Sequence, residues 1–278
     1  MGFRINTNVA SIEAQRNLKM TSNEQVTEFA KLSSGKRITK ASDDAAGLAI
    51  SKNLEAQNRS IKQASRNASD GVSMVQVAEG GLNETSNILT RLRELSIQSA
   101  SDTLGNNERK FLQQEFSQLT QEMDRIASST QFNGFHMLKG SNEKGELEIH
   151  VGAFGSDDNK IKWDSTTTDA TTAGLSLDGV SLSEKEDAVS SLEVLDSAIN
   201  KVSEYRSTLG SVQSRLQSSI NNLETQHLNQ EAARSRIEDV DIAEATARSA
   251  SINVRQASGI AVLAQANSLS NGALRLIG

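Results

Sequence analysis

Three histidines and two acidic clusters are the side chains in this sequence whose chemistry could serve catalysis or metal binding. His136, His150 and His227 are scattered, and the chain has no cysteine that could complete a thiolate metal site. Because the ligands of a metal site usually cluster, we interpret these histidines as surface or packing residues.

The acidic clusters have structural explanations. Asp157-Asp158-Asn159 lacks the acid spacing and the final Glu of an EF-hand, so we predict a hairpin turn there. Ser42-Asp43-Asp44 precedes an apolar-periodic segment, where an N-cap and first-turn acids are expected. The sequence contains no dinucleotide-binding motif, P-loop or nucleophile elbow. It therefore indicates neither an enzyme nor a cofactor.

The overall composition narrows the remaining classes. A net charge of −6 without a basic block disfavours a nucleic-acid binder. No apolar run approaches the length of a membrane span, so no membrane insertion is expected. The absence of a cleavable secretory signal indicates, by itself, a cytoplasmic protein. Few aromatic residues and no proline favour long, thin helices.

Three segments carry apolar residues at alternating spacings of three and four, which predicts long helices. They cover residues 54–92, 112–126 and 195–223, and Gly105-Asn106-Asn107 is expected to separate the first two. The last stripe has a mean step of about 3.5 residues, the period of a coiled-coil seam.

A strand-like pattern interrupts the helical segments. Residues 146–151 alternate between polar and apolar types, and Ile161 and Trp163 resume the alternation after a polar turn. This pattern predicts a β-hairpin. Residues 164–182, rich in Thr, Ser, Ala and Gly, are expected to form an exposed loop.

Both ends of the chain carry apolar stripes that a lone helix would leave in water. The predicted contact residues are Ile5, Val9, Ile12 and Val26 at one end, and Val262, Ala266, Leu269, Ala273 and Leu276 at the other. Such helices are normally buried. We expect the two ends to pair and then to pack against other copies, since repeated contacts that do not close give a helical filament.

Several short motifs, in order along the chain, resemble those of bacterial flagellin. They are Ile5-Asn6-Thr7-Asn8, LSSGKRITKASDDAAGLAI at 32–50, RLREL at 91–95, TQFNG at 130–134, RSRIED at 234–239 and VLAQAN at 262–267. The resemblance covers residues 1–140 and 180–278, and is to a short form with little or no variable outer domain.

The resemblance implies a mainly α fold: a long coiled-coil-like helical bundle with a small β-hairpin region and paired N- and C-terminal helices. Residues 1–45 and 235–278 would form an inner filament-core domain. Residues 46–234 would form an outer bundle, with the hairpin and loop at about 139–182. The connector between them would depend on Gly35, Asp43 and Asp44.

The implied function is that of a structural subunit that is exported and polymerises into the flagellar filament for swimming. The implied location is extracellular. The implied partners are further copies of the chain, the export chaperone and export apparatus, and the filament cap and hook-associated proteins. A hook–filament junction protein and a non-exported coiled-coil binding module are the alternatives.

Two further recognition sites follow from the same resemblance. A Toll-like innate immune receptor would contact Arg91, Leu95 and Glu115, although a solvated Arg91 with an inward Leu95 explains the same residues without a receptor. The export chaperone would contact Leu274, Leu276 and Ile277, unless these residues only pack within the filament.

Overall fold

The computed structural model describes residues 7–140 and 145–275, and the side chains of this range up to residue 268. Its elements in chain order are α1 (Val9–Ser34), α2 (Ala45–Ser99), α3 (Asn106–Ser129), β1 (Gln131–Phe132), β2 (Phe135–His136), β3 (Glu146–His150), β4 (Lys160–Asp164), α4 (Lys185–Glu238) and α5 (Ile242–Arg275). The predicted mainly helical fold is confirmed. The chain divides into two compact units, residues 1–56 with 229–278, and residues 57–228.

The unit of residues 57–228 has a continuous apolar core supplied by α2, α3 and α4. The predicted stripes supply its buried side chains, among them Leu82, Leu89, Met123, Leu195 and Leu209. Each fully buried side chain of this size contributes roughly 1.5–3 kcal/mol. Few aromatic residues are therefore needed, because the apolar stripes of the three helices contribute many buried aliphatic side chains to one core.

The predicted β-hairpin is confirmed. Strands β3 and β4 pair antiparallel, with Leu147 opposite Trp163 and Ile149 opposite Ile161. A second, smaller hairpin between β1 and β2 was not predicted. Its turn residues Asn133 and Gly134 have φ of 48° and 83°, values typical of an Asn-Gly hairpin turn.

The prediction of an exposed loop at 164–182 was wrong. Ala170, Leu175, Leu177 and Leu182 are buried in the core of this unit. The segment is also anchored by polar contacts, since Asp124 of α3 accepts bonds from the backbone N–H and hydroxyl of Thr172. The Thr-, Ser-, Ala- and Gly-rich composition of this segment suggested exposure. Its few apolar residues follow no regular spacing, but they pack into the core.

Two predicted helix starts differ from the structure by one or two residues. Asp44, rather than Ser42, caps α2, because its carboxylate accepts a bond from the N–H of Gly47 at 2.8 Å. Gly105 immediately precedes α3, so Asn106 and Asn107 belong to that helix and not to the connection.

Candidate functional site

Helices α1 and α5 pair in antiparallel fashion within the unit of residues 1–56 and 229–278. Buried or half-buried residues recur at spacings of three and four, namely Ser11, Ala14, Leu18, Thr21, Gln25 and Glu28 on α1, and Ala245, Ser249, Ile252, Gln256, Gly259, Leu263 and Ala266 on α5. This is a heptad seam. Most of its residues are small or polar, so the helices approach closely but bury little apolar surface.

Polar contacts fix the register of the pair. Asn8 caps α1 through its side-chain oxygen, and its Nδ2 donates to the carbonyl of Ala266 at 2.9 Å. Farther along the seam, Arg255 pairs with Glu24 at 2.9 Å. These contacts require one antiparallel alignment of the two helices.

Several larger apolar residues of this unit lie outside the seam. Val9, Ile12, Val26 and Val262 are 59%, 58%, 66% and 58% exposed. Of the predicted contact residues in the described side chains, Ala266 alone lies in the seam, at 6% exposed. Val262 lies one helical turn before Ala266 on α5, so the two residues share a side of the helix, yet only Ala266 is covered by α1.

The remaining predicted contact residues lie near the two ends of the chain. Ile5 and Leu276 lie outside the described residues. Leu269 and Ala273 belong to α5, but their side chains are not among those described.

A groove of about 550 Å³ runs between the exposed edges of α1 and α5. Met20 and Ile252 supply its apolar wall, and Glu24, Arg248 and Arg255 supply charges at its rim. A groove lined by both apolar and charged residues is better suited to contact another protein than to bind a small apolar ligand.

The connector between α1 and α2 pairs with the segment between α4 and α5. Gly35 ends α1 with a φ of 69°, and its carbonyl accepts a bond from the N–H of Val240 at 3.0 Å. The N–H of Arg37 donates to the carbonyl of Glu238 at 2.6 Å, and its guanidinium donates to that of Ile237. Outgoing and returning chains are thus held side by side.

The two acidic connector residues have different tasks. Asp43 accepts bonds from the N–H groups of Thr39 and Lys40 at 3.0 and 2.9 Å, and from the Thr39 hydroxyl. These bonds, first that from Lys40, lower the pKa of Asp43. Asp44 caps α2 and lies 3.7 Å from the guanidinium of Arg37.

Glu238, a buried carboxylate, was missed from the sequence. It is 3% exposed, pairs with Lys36 and accepts a bond from the hydroxyl of Ser51. These two partners lower the pKa of Glu238. Glu238 belongs to the RSRIED motif, but nothing in the spacing of that motif's residues indicated that the carboxylate is buried.

Two family models cover most of the chain. The N-terminal helical region of bacterial flagellin matches residues 5–143, and the C-terminal helical region of bacterial flagellin matches residues 192–277. The chain belongs to the flagellin family.

Individual flagellins are similar to this chain over nearly its whole length. The flagellar filament core protein flaB2 of Brachyspira hyodysenteriae is 40% identical over 98% of this chain and 99% of its own. The flagellin of Bacillus subtilis is 35% identical over 99% of this chain and 100% of its own. The crystal structure of Bacillus cereus flagellin covers 61% of this chain and 94% of its own, with 29% identity and a TM-score of 0.51.

These findings establish a structural subunit of the flagellar filament, exported to the flagellum, and not an enzyme. They favour this function over the hook–filament junction protein and the non-exported binding module, because both halves of the chain match flagellin itself.

The residues predicted to contact a receptor divide into two groups in this flagellin. Arg91 donates to the Glu115 carboxylate at 2.8 and 3.1 Å and to Glu94 at 3.0 Å, and its bonds to Glu115 are the first cause of a raised Arg91 pKa. Leu95 is 1% exposed and lies in the core. Direct contact is therefore open to Arg91 and Glu115, whereas Leu95 would have to leave the core.

The remaining expectations concern the predicted chaperone contact, metal sites and membrane spans. Leu276 and Ile277 lie outside the described residues, and the side chain of Leu274 is not described. Across residues 7–140 and 145–275, no group of His, Asp and Glu side chains is arranged to hold a metal ion. No helix within those ranges combines the length and hydrophobicity that a membrane span needs.

Proposed function

We propose that the α1–α5 pair is the polymerising element of this flagellin, and that its outward apolar residues pack against neighbouring copies. The observation that supports this proposal is that several apolar side chains of the pair lie on its outer surface rather than in its seam. Most residues of the seam are small or polar, while Val9, Ile12, Val26 and Val262 face solvent at more than half exposure. Exposed apolar residues gathered on a helix pair mark an interaction surface.

The physical argument concerns what this unit gains from assembly. Burying an exposed Val or Ile side chain contributes roughly 1.5–3 kcal/mol. Several such residues per subunit, repeated along the filament, provide a strong driving force without any chemistry. On this proposal residues 1–45 and 235–278 form the inner layer, and residues 46–234 form the outer layer.

Substitution of Val26 tests the proposal. Val26→Asp places a charge on the outward face, and we expect it to abolish seeded filament growth. Val26→Leu, the matched control, keeps the position apolar, and we expect it to retain growth. Circular dichroism of both monomers should show equal helicity, because Val26 is 66% exposed. Filaments of Val26→Asp that grow at the rate of Val26→Leu would refute the assignment.

The partners implied by the resemblance belong to the same proposal. Leu274, Leu276 and Ile277 would bind the export chaperone, which would prevent polymerisation before export. The export apparatus, the filament cap and the hook-associated proteins would then receive the subunit, and the filament would be extracellular. Loss of chaperone binding on deletion of residues 274–278, in a chain whose helicity is unchanged, would support this assignment.

Recognition by an innate immune receptor is a separate proposal that Arg91 and Glu115 support. Their ion pair joins α2 to α3 on the surface, with side-chain exposures of 50% and 43%. Arginine side chains are enriched among residues that dominate binding interfaces.

A further inference from the structure

The carboxylate of Glu238 is the central contact of the connector. Its side chain is 4% exposed, whereas that of its partner Lys36 is 46% exposed. The second carboxylate oxygen accepts a bond from the hydroxyl of Ser51 on α2. Burying a carboxylate is costly unless it is paired and hydrogen-bonded. Lys36 and Ser51 meet both requirements.

The backbone of Glu238 contributes a further link. Its carbonyl accepts a bond from the N–H of Arg37 at 2.6 Å. One residue, the last of α4, therefore holds the outgoing connector strand through Lys36 and Arg37 and the first turns of α2 through Ser51. Losing its charge would affect all of these segments.

The charged groups around Glu238 are mostly basic. Lys36 approaches from the connector strand, and Arg234 contributes a weaker favourable charge from α4 itself. The guanidinium of Arg37 is directed to the carbonyl of Ile237 and to Asp44. Asp239, the following residue, lies opposite Lys36 in the paired connector. The ionised form of Glu238 is thus favoured by the groups that face it.

We propose that Glu238 is an acid-sensitive latch, whose protonation by solvent releases Lys36 and loosens the attachment of the connector to α2 and α4. The direction follows from the bonds to Lys36 and Ser51, which hold the pKa of Glu238 below its ordinary value of 4.5. A lowered pKa gives stability that is present above the ordinary value and is lost as the pH falls through the folded value. The latch is therefore closed near neutral pH and opens in acid.

Backbone amide exchange in the unpolymerised full-length chain tests the latch directly. The reporters are the N–H groups of Arg37 and Val240, which donate across the connector. After correction for intrinsic exchange rates, their protection should fall below about pH 4.5, by at most about tenfold per pH unit for one proton. The N–H of Ala245, bonded to Asp241 within the start of α5, provides the comparison amide.

Two variants separate the latch from general acid unfolding. Glu238→Gln should lower the protection of Arg37 and Val240 near neutral pH and flatten its pH dependence. Ser51→Ala, a milder change, should lower protection but keep the pH dependence. Protection in the unsubstituted chain that does not change with pH, or that changes identically in Glu238→Gln, would overturn the proposal.

Filaments provide a second readout, and here the inference rests on the proposed function. Filaments of Glu238→Gln should disassemble with a weaker dependence on acid than unsubstituted filaments. Glu122→Gln, which removes a solvent-exposed pair with Arg125, should change the acid dependence far less than Glu238→Gln does. A pH-dependent connector in a chain that forms no filaments would support the latch while refuting the proposed polymerisation surface.

Discussion

The side-chain amide of Asn8 donates to the backbone carbonyl of Ala266 at 2.9 Å, although 258 residues separate them in sequence. The Asn8 oxygen simultaneously accepts from the N–H of Ser11 at 3.0 Å and caps α1. One side chain therefore both starts the first helix and sets its register against the last. This double use explains why the α1–α5 seam can be specific with little apolar surface.

Replacing Asn8 should weaken this unit. Asn8→Ala removes the cap and the bond to Ala266, and loss of an N-cap alone costs about 0.5–2 kcal/mol. We expect filaments of Asn8→Ala to dissociate at a lower temperature than unsubstituted filaments, measured by sedimentation. Thr7→Ala, at the exposed preceding residue, is the control and should have no effect. Equal dissociation temperatures for both variants would contradict the role of Asn8.

Replacing Gly35 should strain the connector. Its φ of 69° is left-handed, and a side chain there costs about 1–2 kcal/mol even though a Cβ would meet no other atom. Gly35→Ala should lower the thermal stability of the unit that contains the connector. Gly80→Ala, on α2 and likewise unobstructed, should instead stabilise the chain by roughly 0.5–1 kcal/mol. Calorimetry should show opposite shifts, and shifts of the same sign would count against this account.

The contribution of Asp43 should depend on pH in a defined direction. Hydrogen bonds from Lys40 and Thr39 lower its pKa below the ordinary value of 3.8, so its stabilising effect is present above that pH and lost as the pH falls through the folded pKa. The difference in thermal unfolding temperature between the unsubstituted chain and Asp43→Asn should therefore shrink in acid. A difference that stays constant down to strongly acidic pH would show that the carboxylate charge is irrelevant.

Substitutions at the proposed receptor surface should separate binding from folding. Leu95→Ala leaves a core cavity and should cost about 2–5 kcal/mol of stability, whereas Arg91→Ala breaks a solvent-exposed pair and should change stability little. We expect Arg91→Ala and Glu115→Ala to weaken receptor binding while the chain stays folded, measured by surface plasmon resonance and thermal unfolding. Unchanged binding in both folded variants would remove the receptor assignment.

Much of the unit of residues 57–228 could be predicted from sequence because the apolar residues of its helices follow a regular heptad spacing. Leu82, Leu89, Leu195 and Leu209 recur at heptad spacings, and all four are fully buried. The segment 164–182 could not be predicted in the same way. Its buried residues have no period, and tertiary contacts such as that between Thr172 and Asp124 hold it in place.

The pairing of the terminal helices was predicted, but the residues of their seam were not. Apolar periodicity pointed to Val26 and Val262 as contact residues, but the seam is built from small and polar residues such as Ser11, Ala14 and Gly259. A hydrophobic pattern cannot distinguish the face that pairs within a chain from the face that meets another copy. Glu238 was missed for a related reason, since burial of a charge depends on Lys36 and Ser51, which lie far away in sequence.

Thiol labelling at Val26 tests the central claim most directly, because the chain contains no cysteine of its own. Val26→Cys introduces a single reporter on the outward face of α1, and Thr167→Cys places a matched reporter on an exposed residue of the other unit. Polymerisation should slow alkylation at position 26 by more than about tenfold, as expected for a side chain withdrawn from solvent, with a much smaller change at position 167. Equal alkylation rates at position 26 in monomers and filaments would contradict the assignment of this face to polymerisation.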